Sequence, residues 1–222
     1  MQVEWYGQSA FALRTPQATV FVDPFGDLSG LAARGMRFDY PPIAGVEADL
    51  LLVTHEHADH NAVGAIGGGP PVLRSTAGRL ASPIGEVLAV ASEHDAVAGT
   101  ARGPNTIFVF EFDGLRIAHF GDFGQRELRD EQAAVIGRVD LAFLPVGGGP
   151  TIDGRRAAAI ARRIEARWVI PMHYRTHRVD FLGPADEFLD DIGAVHRAGA
   201  PACDTAALPT ADGPLAVVLD AP

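Results

Sequence analysis

Lysine is absent from the 222 residues, so all 18 basic residues are arginine and any mechanism that needs a lysine nucleophile or a Schiff base is excluded. Against them stand 28 acidic residues, leaving a formal net charge of -10. No basic block offsets that balance. Polyanion binding requires a basic surface that displaces counterions, so long nucleic acids are not expected as partners. Cysteine is nearly absent too: the single thiol, Cys203, has no internal partner, which rules out a disulfide framework. No run of residues has the continuous apolar length needed to cross a bilayer. The start, Met1-Gln2-Val3-Glu4-Trp5, lacks the basic residues and apolar stretch of a secretory leader, so a cytoplasmic chain without a membrane partner is expected.

What is present suits one domain spanning 1–222. Apolar residues make up 47% and charged residues 21%, enough to bury a large core without a staple, and no linker or composition break divides the chain. Short β-rich runs open it at 2–6, 10–14 and 19–22, the last stopped by Asp23-Pro24. The Gly- and Pro-rich stretch 26–45 reads as a long loop and a candidate roof for a site. An apolar run at 48–53 is followed by a short helical stretch at 61–66, a strand at 72–74, a helix at 75–81 and a strand at 86–91. Runs at 106–112 and 115–120 flank Asp113-Gly114, the strongest short hairpin signal in the chain.

Beyond the hairpin, a helix at 129–136 leads to a strand at 140–146. Asp153 is placed to cap a helix with the apolar stripe Ala157, Ile160, Ala161 and Ile164. A strand at 168–171, a helix at 184–198 and a closing strand at 215–219 complete the chain. Strand-rich halves that each finish in helices predict an α/β fold of two packed sheets covered by helices on both outer faces.

Chemistry concentrates immediately after the apolar run at 48–53, in His55-Glu56-His57-Ala58-Asp59-His60. Imidazole nitrogen suits zinc and its first-row neighbours, and a carboxylate adds hard oxygen and charge, so the mixture selects divalent transition metals over magnesium or calcium. If the chain stays extended to Val53 and then turns, His55 and His57 point the same way and reach one ion. Asp59 and His60, beyond the turn, are better placed for a second. His94, Asp122 and His173 each follow a predicted strand, so one edge of the fold can collect them. Each also has a plain role as a loop, turn or buried hydrogen-bonding residue. His196, within the predicted last helix, is read as an ordinary residue.

In this order, Asp23, His55-x-His57-x-Asp59-His60, His94, Asp122 and His173 resemble the metallo-β-lactamase superfamily. Gly121-Asp122, Leu144-Pro145-Val146-Gly147-Gly148 and Ile170-Pro171-Met172-His173-Tyr174 are similar to its small stand-alone hydrolases related to L-ascorbate-6-phosphate lactonase. The resemblance covers about Val3 to Tyr174. It implies an αββα sandwich of two mixed sheets flanked by helices, with the metals in a cleft at the edge between the sheets. It also implies His55, His57 and His94 on one metal, Asp59, His60 and His173 on the other, and Asp122 bridging both. Phe123 departs from the pattern, standing where relatives often have a smaller or polar residue. His57, where the oxygen-reducing di-iron branch typically has a carboxylate, favours hydrolysis.

The expected cofactors are two divalent transition-metal ions, zinc first, with manganese or iron as alternatives. Two ions about 3.5 to 4 Å apart hold a water between them and lower its pKa from about 16 towards 7, which gives a hydroxide nucleophile for a small-molecule ester, lactone or phosphodiester. Asp122 and Asp59 would orient it. Asp23 and His119 are candidates to brace the metal-bound imidazoles. Tyr174, Arg175 and His177 are candidate substrate contacts, and Asn105 and Gln8 weaker ones. Two other readings compete: a nucleic-acid-processing metallo-nuclease, disfavoured by charge, and a protein that binds metal without turnover.

Overall fold

In Leu50-Leu51-Leu52-Val53 successive side chains must point to opposite faces of a strand, yet all four are fully buried, so this strand is covered on both sides. The computed structural model describes residues 1–74 and 77–222. Its strands and helices follow in chain order as β1 (Gln2–Gly7), β2 (Ala10–Arg14), β3 (Thr19–Val22), β4 (Val46–Glu47), β5 (Leu50–Val53), β6 (Ile66–Gly67), β7 (Val72–Arg74), β8 (Gly78–Ser82), β9 (Gly85–Glu93), β10 (Pro104–Phe112), β11 (Leu115–His119), α1 (Asp130–Ile136), β12 (Leu141–Pro145), α2 (Gly154–Arg163), β13 (Trp168–Met172), α3 (Asp186–Ile192), β14 (Ala194–Arg197), β15 (Ala202–Asp204) and β16 (Leu215–Val218).

A six-stranded sheet runs β15-β1-β2-β3-β5-β7 and an eight-stranded sheet β14-β16-β13-β12-β11-β10-β9-β8; β4 and β6 form a separate pair. Both large sheets are mixed, with antiparallel hairpins passing into parallel strands. Val3, Trp5, Phe11, Leu13, Val20, Val22, Leu50 and Leu52 point from the first sheet into the core shared with the second. Burying each of these side chains stabilises the fold by roughly 1.5–3 kcal/mol for a Val, Leu or Phe. The alternate residues Ala10, Ala12, Phe21, Leu51 and Val53 meet Phe25, Tyr40, Ile43, Val46 and Ala48 on the opposite face. That outer layer is segment 24–48, helical over the 3-10 stretch Ser29–Arg34, whereas α1, α2 and α3 cover the eight-stranded sheet. The architecture is α/β, two mixed sheets with helical layers outside.

Strand directions place the functional loops. β1 and β3 are both antiparallel to β2, and β5 is parallel to β3, so β1, β3 and β5 end at one edge of their sheet. In the other sheet β9 and β11 are both antiparallel to β10, and β12 and β13 are parallel to β11, so these four also end together. The two edges are joined by backbone hydrogen bonds from Thr106 N to Thr54 O at 3.0 Å and from His173 N to Gln8 O at 3.3 Å.

The sequence expectations differ from the fold at several elements. The helix expected at 75–81 is strand β8 over Gly78–Ser82, hydrogen-bonded to β9; Ser75 and Thr76 lie outside the described residues. The helix expected at 184–198 ends at Ile192, because Gly193 turns with φ 84°, and the chain continues as β14. His196 therefore sits on a strand. The helical stretch at 61–66 is a 3-10 turn over Val63–Ala65. The loop 26–45 covers the outer sheet face, and its first residue, Gly26, donates its N–H to Ala58 O in the histidine motif at 3.4 Å.

Candidate metal centre

Asp23, at the end of β3, organises the loop that follows β5. Its carboxylate accepts hydrogen bonds from Thr54 N at 2.8 Å and Thr54 Oγ1 at 2.7 Å, and from His60 Nδ1 at 2.9 Å. Because the Thr54 hydroxyl gives its proton to Asp23, it accepts from His55 Nδ1, 3.1 Å away. His94 Nδ1 is 3.2 Å from the Pro150 carbonyl, which can only accept. In His55 and His94 the Nδ1 proton is thus committed to an oxygen and the Nε2 lone pair is left to face inward, and in His60 the Nδ1 proton is likewise held, by Asp23. That is the tautomer a metal-binding imidazole needs, fixed by its surroundings.

The inward atoms form two groups. His55, His57 and His94 make one, and Asp59, His60, Asp122 and His173 the other; in each, the ligand-type atoms lie within 4.8 Å of one another. Asp122 stands between them, with Oδ2 3.1 Å from His94 Nε2 and 3.1 Å from His173 Nε2, and Oδ1 3.3 Å from His60 Nε2. His55 Nε2 and His57 Nδ1 approach to 3.1 Å. His60 Nε2 and Asp122 Oδ1 are buried and make no hydrogen bond among the described residues, despite facing each other. A divalent transition metal in each group satisfies these atoms, so the residues present fit such ions.

Electrostatics agree with the geometry. Burial disfavours a charge on His60, but Asp122, Asp59 and Asp23 outweigh it and hold its pKa well above that of a free histidine. Burial likewise opposes ionisation of Asp122, yet His173 and His60 keep its carboxyl well below the usual carboxylate range, and Asp59 is lowered against burial chiefly by His60. Burial, followed by repulsion from His60, pushes His55 down to about 2, and burial with His94 lowers His57. Asp59 and Asp122 are thus anionic and His55 and His57 neutral, as coordination requires. The proton on His60 competes with metal for Nε2.

Close packing of the loops makes the convergence possible. Gly121 has φ 55°, and a Cβ there would lie 2.5 Å from Asn105 Oδ1 and 2.6 Å from Thr54 Cβ, so only glycine lets the end of β11 bring Asp122 against the β5 loop. Asn105, in β10, accepts from Asp122 N at 3.0 Å and donates to Phe120 O and Ser92 Oγ, both at 2.8 Å. It is buried and holds the Asp122 backbone.

Other expected residues fall elsewhere. His119 is buried at the end of β11 and pairs with the Ser9 carbonyl at 3.1 Å and the Gly121 N–H at 3.2 Å, bracing the two sheets without touching a ligand imidazole. Tyr174 is a core residue stacked on Trp5 at 5.6 Å. Phe123 is fully buried against Phe120, so the departure at that position lies in the core. Arg175 and His177 are exposed on the loop after β13, with Arg175 Nε donating to Leu182 O at 2.7 Å. Thr54 and the Pro150 carbonyl escaped the sequence reading. Thr54 carries a signal, a hydroxyl directly before the first histidine, but a backbone carbonyl carries none.

The family model described as "Beta-lactamase superfamily domain" matches residues 2–173. A UPF0173 metal-dependent hydrolase of Thermococcus kodakarensis is 28% identical over 207 residues, covering 79% of this chain and 85% of that one. Its counterpart in Pyrococcus furiosus is 30% identical over 204 residues, with coverages of 79% and 85%. Among solved structures, a protein of Thermotoga maritima assigned to the Zn-dependent hydrolases of the metallo-beta-lactamase superfamily superposes with a TM-score of 0.77 at 28% identity, covering 99% of this chain and 98% of its own. With a family model over most of its length and that fold, the chain belongs to the metallo-β-lactamase superfamily.

Proposed function

We propose that the protein is a metal-dependent hydrolase that uses two divalent ions to cleave a small-molecule ester, lactone or phosphodiester. One observation carries the reading: a single carboxylate oxygen, Asp122 Oδ2, lies 3.1 Å from an imidazole nitrogen of each ligand group. The hydrolase names of the relatives support the reaction class. His55, His57 and His94 would hold one ion, Asp59, His60 and His173 the other, and Asp122 would bridge them. When bound, such ions lower the pKa of water towards about 7 and polarise a carbonyl or phosphoryl oxygen, zinc being the first candidate and manganese or iron the alternatives.

The chain's own groups set the geometry of the reaction. Asp23 and Thr54 hold His60 and His55 in one tautomer, and Asn105 holds Asp122. Asp59, whose side chain is 26% exposed against 3% for Asp122, is the carboxylate that solvent reaches and, as a hydrogen-bond acceptor, would orient the attacking water. Arg175 and His177, exposed next to His173, are the groups to meet an anionic part of a substrate. A net charge of -10 favours small substrates over polyanions.

The test joins metal analysis of the reconstituted protein to hydrolysis assays on esters, lactones and phosphodiesters. Asp122→Ala is expected to abolish turnover while circular dichroism stays that of the parent. Near-normal rates in this variant would remove the bridging role, and metal-loaded protein inert towards the whole panel would favour metal binding without catalysis.

A further inference from the structure

Gln8 occupies the turn between β1 and β2, at the edge where β3 and β5 also end, and its conformation is unusual. The residue has φ 51° and directly follows Gly7, whose φ is 110°. Left-handed backbone is tolerated by Gly, Asn and Asp, whereas a longer side chain there is strained. Turn formation alone therefore does not explain a glutamine. The side chain is 1% exposed, and its Nε2 donates to Asp59 Oδ2 at 3.0 Å, across 51 residues of sequence. An ionised carboxylate can only accept, so this contact dictates which way the amide faces. Oε1 is left buried without a partner among the described residues.

The main chain of Gln8 serves the same half of the centre. Its carbonyl accepts from His173 N at 3.3 Å and from Trp5 Nε1 at 3.1 Å. His173 itself sits at φ 52°, a left-handed conformation that needs external support. One residue of the N-terminal hairpin thus contacts two members of the Asp59, His60, Asp122 and His173 group.

We propose that Gln8 is the positioning residue of that half, orienting Asp59 through its side-chain amide and His173 through its carbonyl. The proposal rests on the two-ion reading above. It makes the β1–β2 hairpin part of the metal centre although it contributes no ligand, and it predicts that loss of the amide weakens one ion and spares the other.

Cobalt(II) titration of metal-free protein, followed by its ligand-field absorption and by competition with a chromophoric chelator, separates the halves in two backgrounds. His94→Ala disables the first group and His173→Ala the second. Adding Gln8→Met, which keeps length and removes the donor, is expected to lower cobalt affinity about tenfold or more in the His94→Ala background. In the His173→Ala background it is expected to change nothing. Gln8→Asn, too short to reach Asp59 but well suited to positive φ, is expected to weaken the same half without lowering the melting temperature of metal-free protein. Equal losses in both backgrounds, or none in either, would overturn the proposal. A His94→Ala protein that takes up no cobalt would overturn the separate half-site itself, a failure visible before Gln8 is altered.

Discussion

At the residue scale, the candidate centre depends as much on the partners of the ligand-type side chains as on those side chains. Asp23 fixes the His60 tautomer and, through Thr54, that of His55. Asp23→Asn keeps size and tolerates the left-handed backbone, φ 50°, but removes the charge facing His60. It is expected to lower metal affinity about tenfold to a hundredfold, with the fold unchanged, as read by isothermal titration with zinc. Unaltered affinity would reduce Asp23 to a turn residue. The seven ligand-type side chains were legible because imidazoles and carboxylates at strand ends declare their chemistry by type alone. The burial of Tyr174 and Asn105 was not legible for the opposite reason: whether an aromatic or an amide faces solvent, core or backbone is decided by packing, which one sequence does not display. Tyr174 packs on Trp5, 169 positions away, and Asn105 on Phe120 O.

At the scale of elements, local signals succeeded where they act locally. Asp113-Gly114, with φ values of 54° and 72°, makes the two-residue turn between Phe112 and Leu115, the primed geometry that matches strand twist. Asp153 accepts from Arg156 N at 2.9 Å and starts α2, whose Ala157, Ala158, Ile160 and Ala161 are buried on the eight-stranded sheet. Asp153→Ala is expected to cost about 1 kcal/mol of stability in urea denaturation. Metal binding should be untouched, because α2 packs on β12 from outside and supplies no ligand. A loss of metal affinity in that variant would show that the outer helix layer governs the centre. β8 was misread because Arg79, Leu80 and Ala81 favour helix in isolation, and pairing with β9 overrides that preference at a sheet edge. Gly193 did announce the end of α3, but the residues after it continued a helical pattern and hid the short parallel strand β14.

For the whole molecule, stability and site are coupled through buried histidines. Burial pushes His119 down to about 4, so it stays neutral in the folded state while an unfolded histidine titrates near 6.5. Between those values the unfolded chain binds more protons than the folded one, and stability falls as pH falls. The share belonging to His119 is about 2 kcal/mol between about pH 7 and pH 5. His55, pushed down to about 2, adds to the slope in the same direction when metal is removed. His119→Gln can still donate to the Ser9 carbonyl but cannot titrate. In chelator-treated protein it is therefore expected to flatten the dependence of urea stability on pH by that amount, whatever it costs at neutral pH. An unchanged slope would mean that His119 becomes protonated within the fold, and the contact between the hairpin that carries Gln8 and the strand that leads to Asp122 would then have to open in acid. Metal binding acts on the same balance from the other side. Ligand at a thousandfold excess over its dissociation constant stabilises the folded state by about 4 kcal/mol, so zinc-loaded protein should hold its fold to lower pH until the ligand histidines protonate and release the ions.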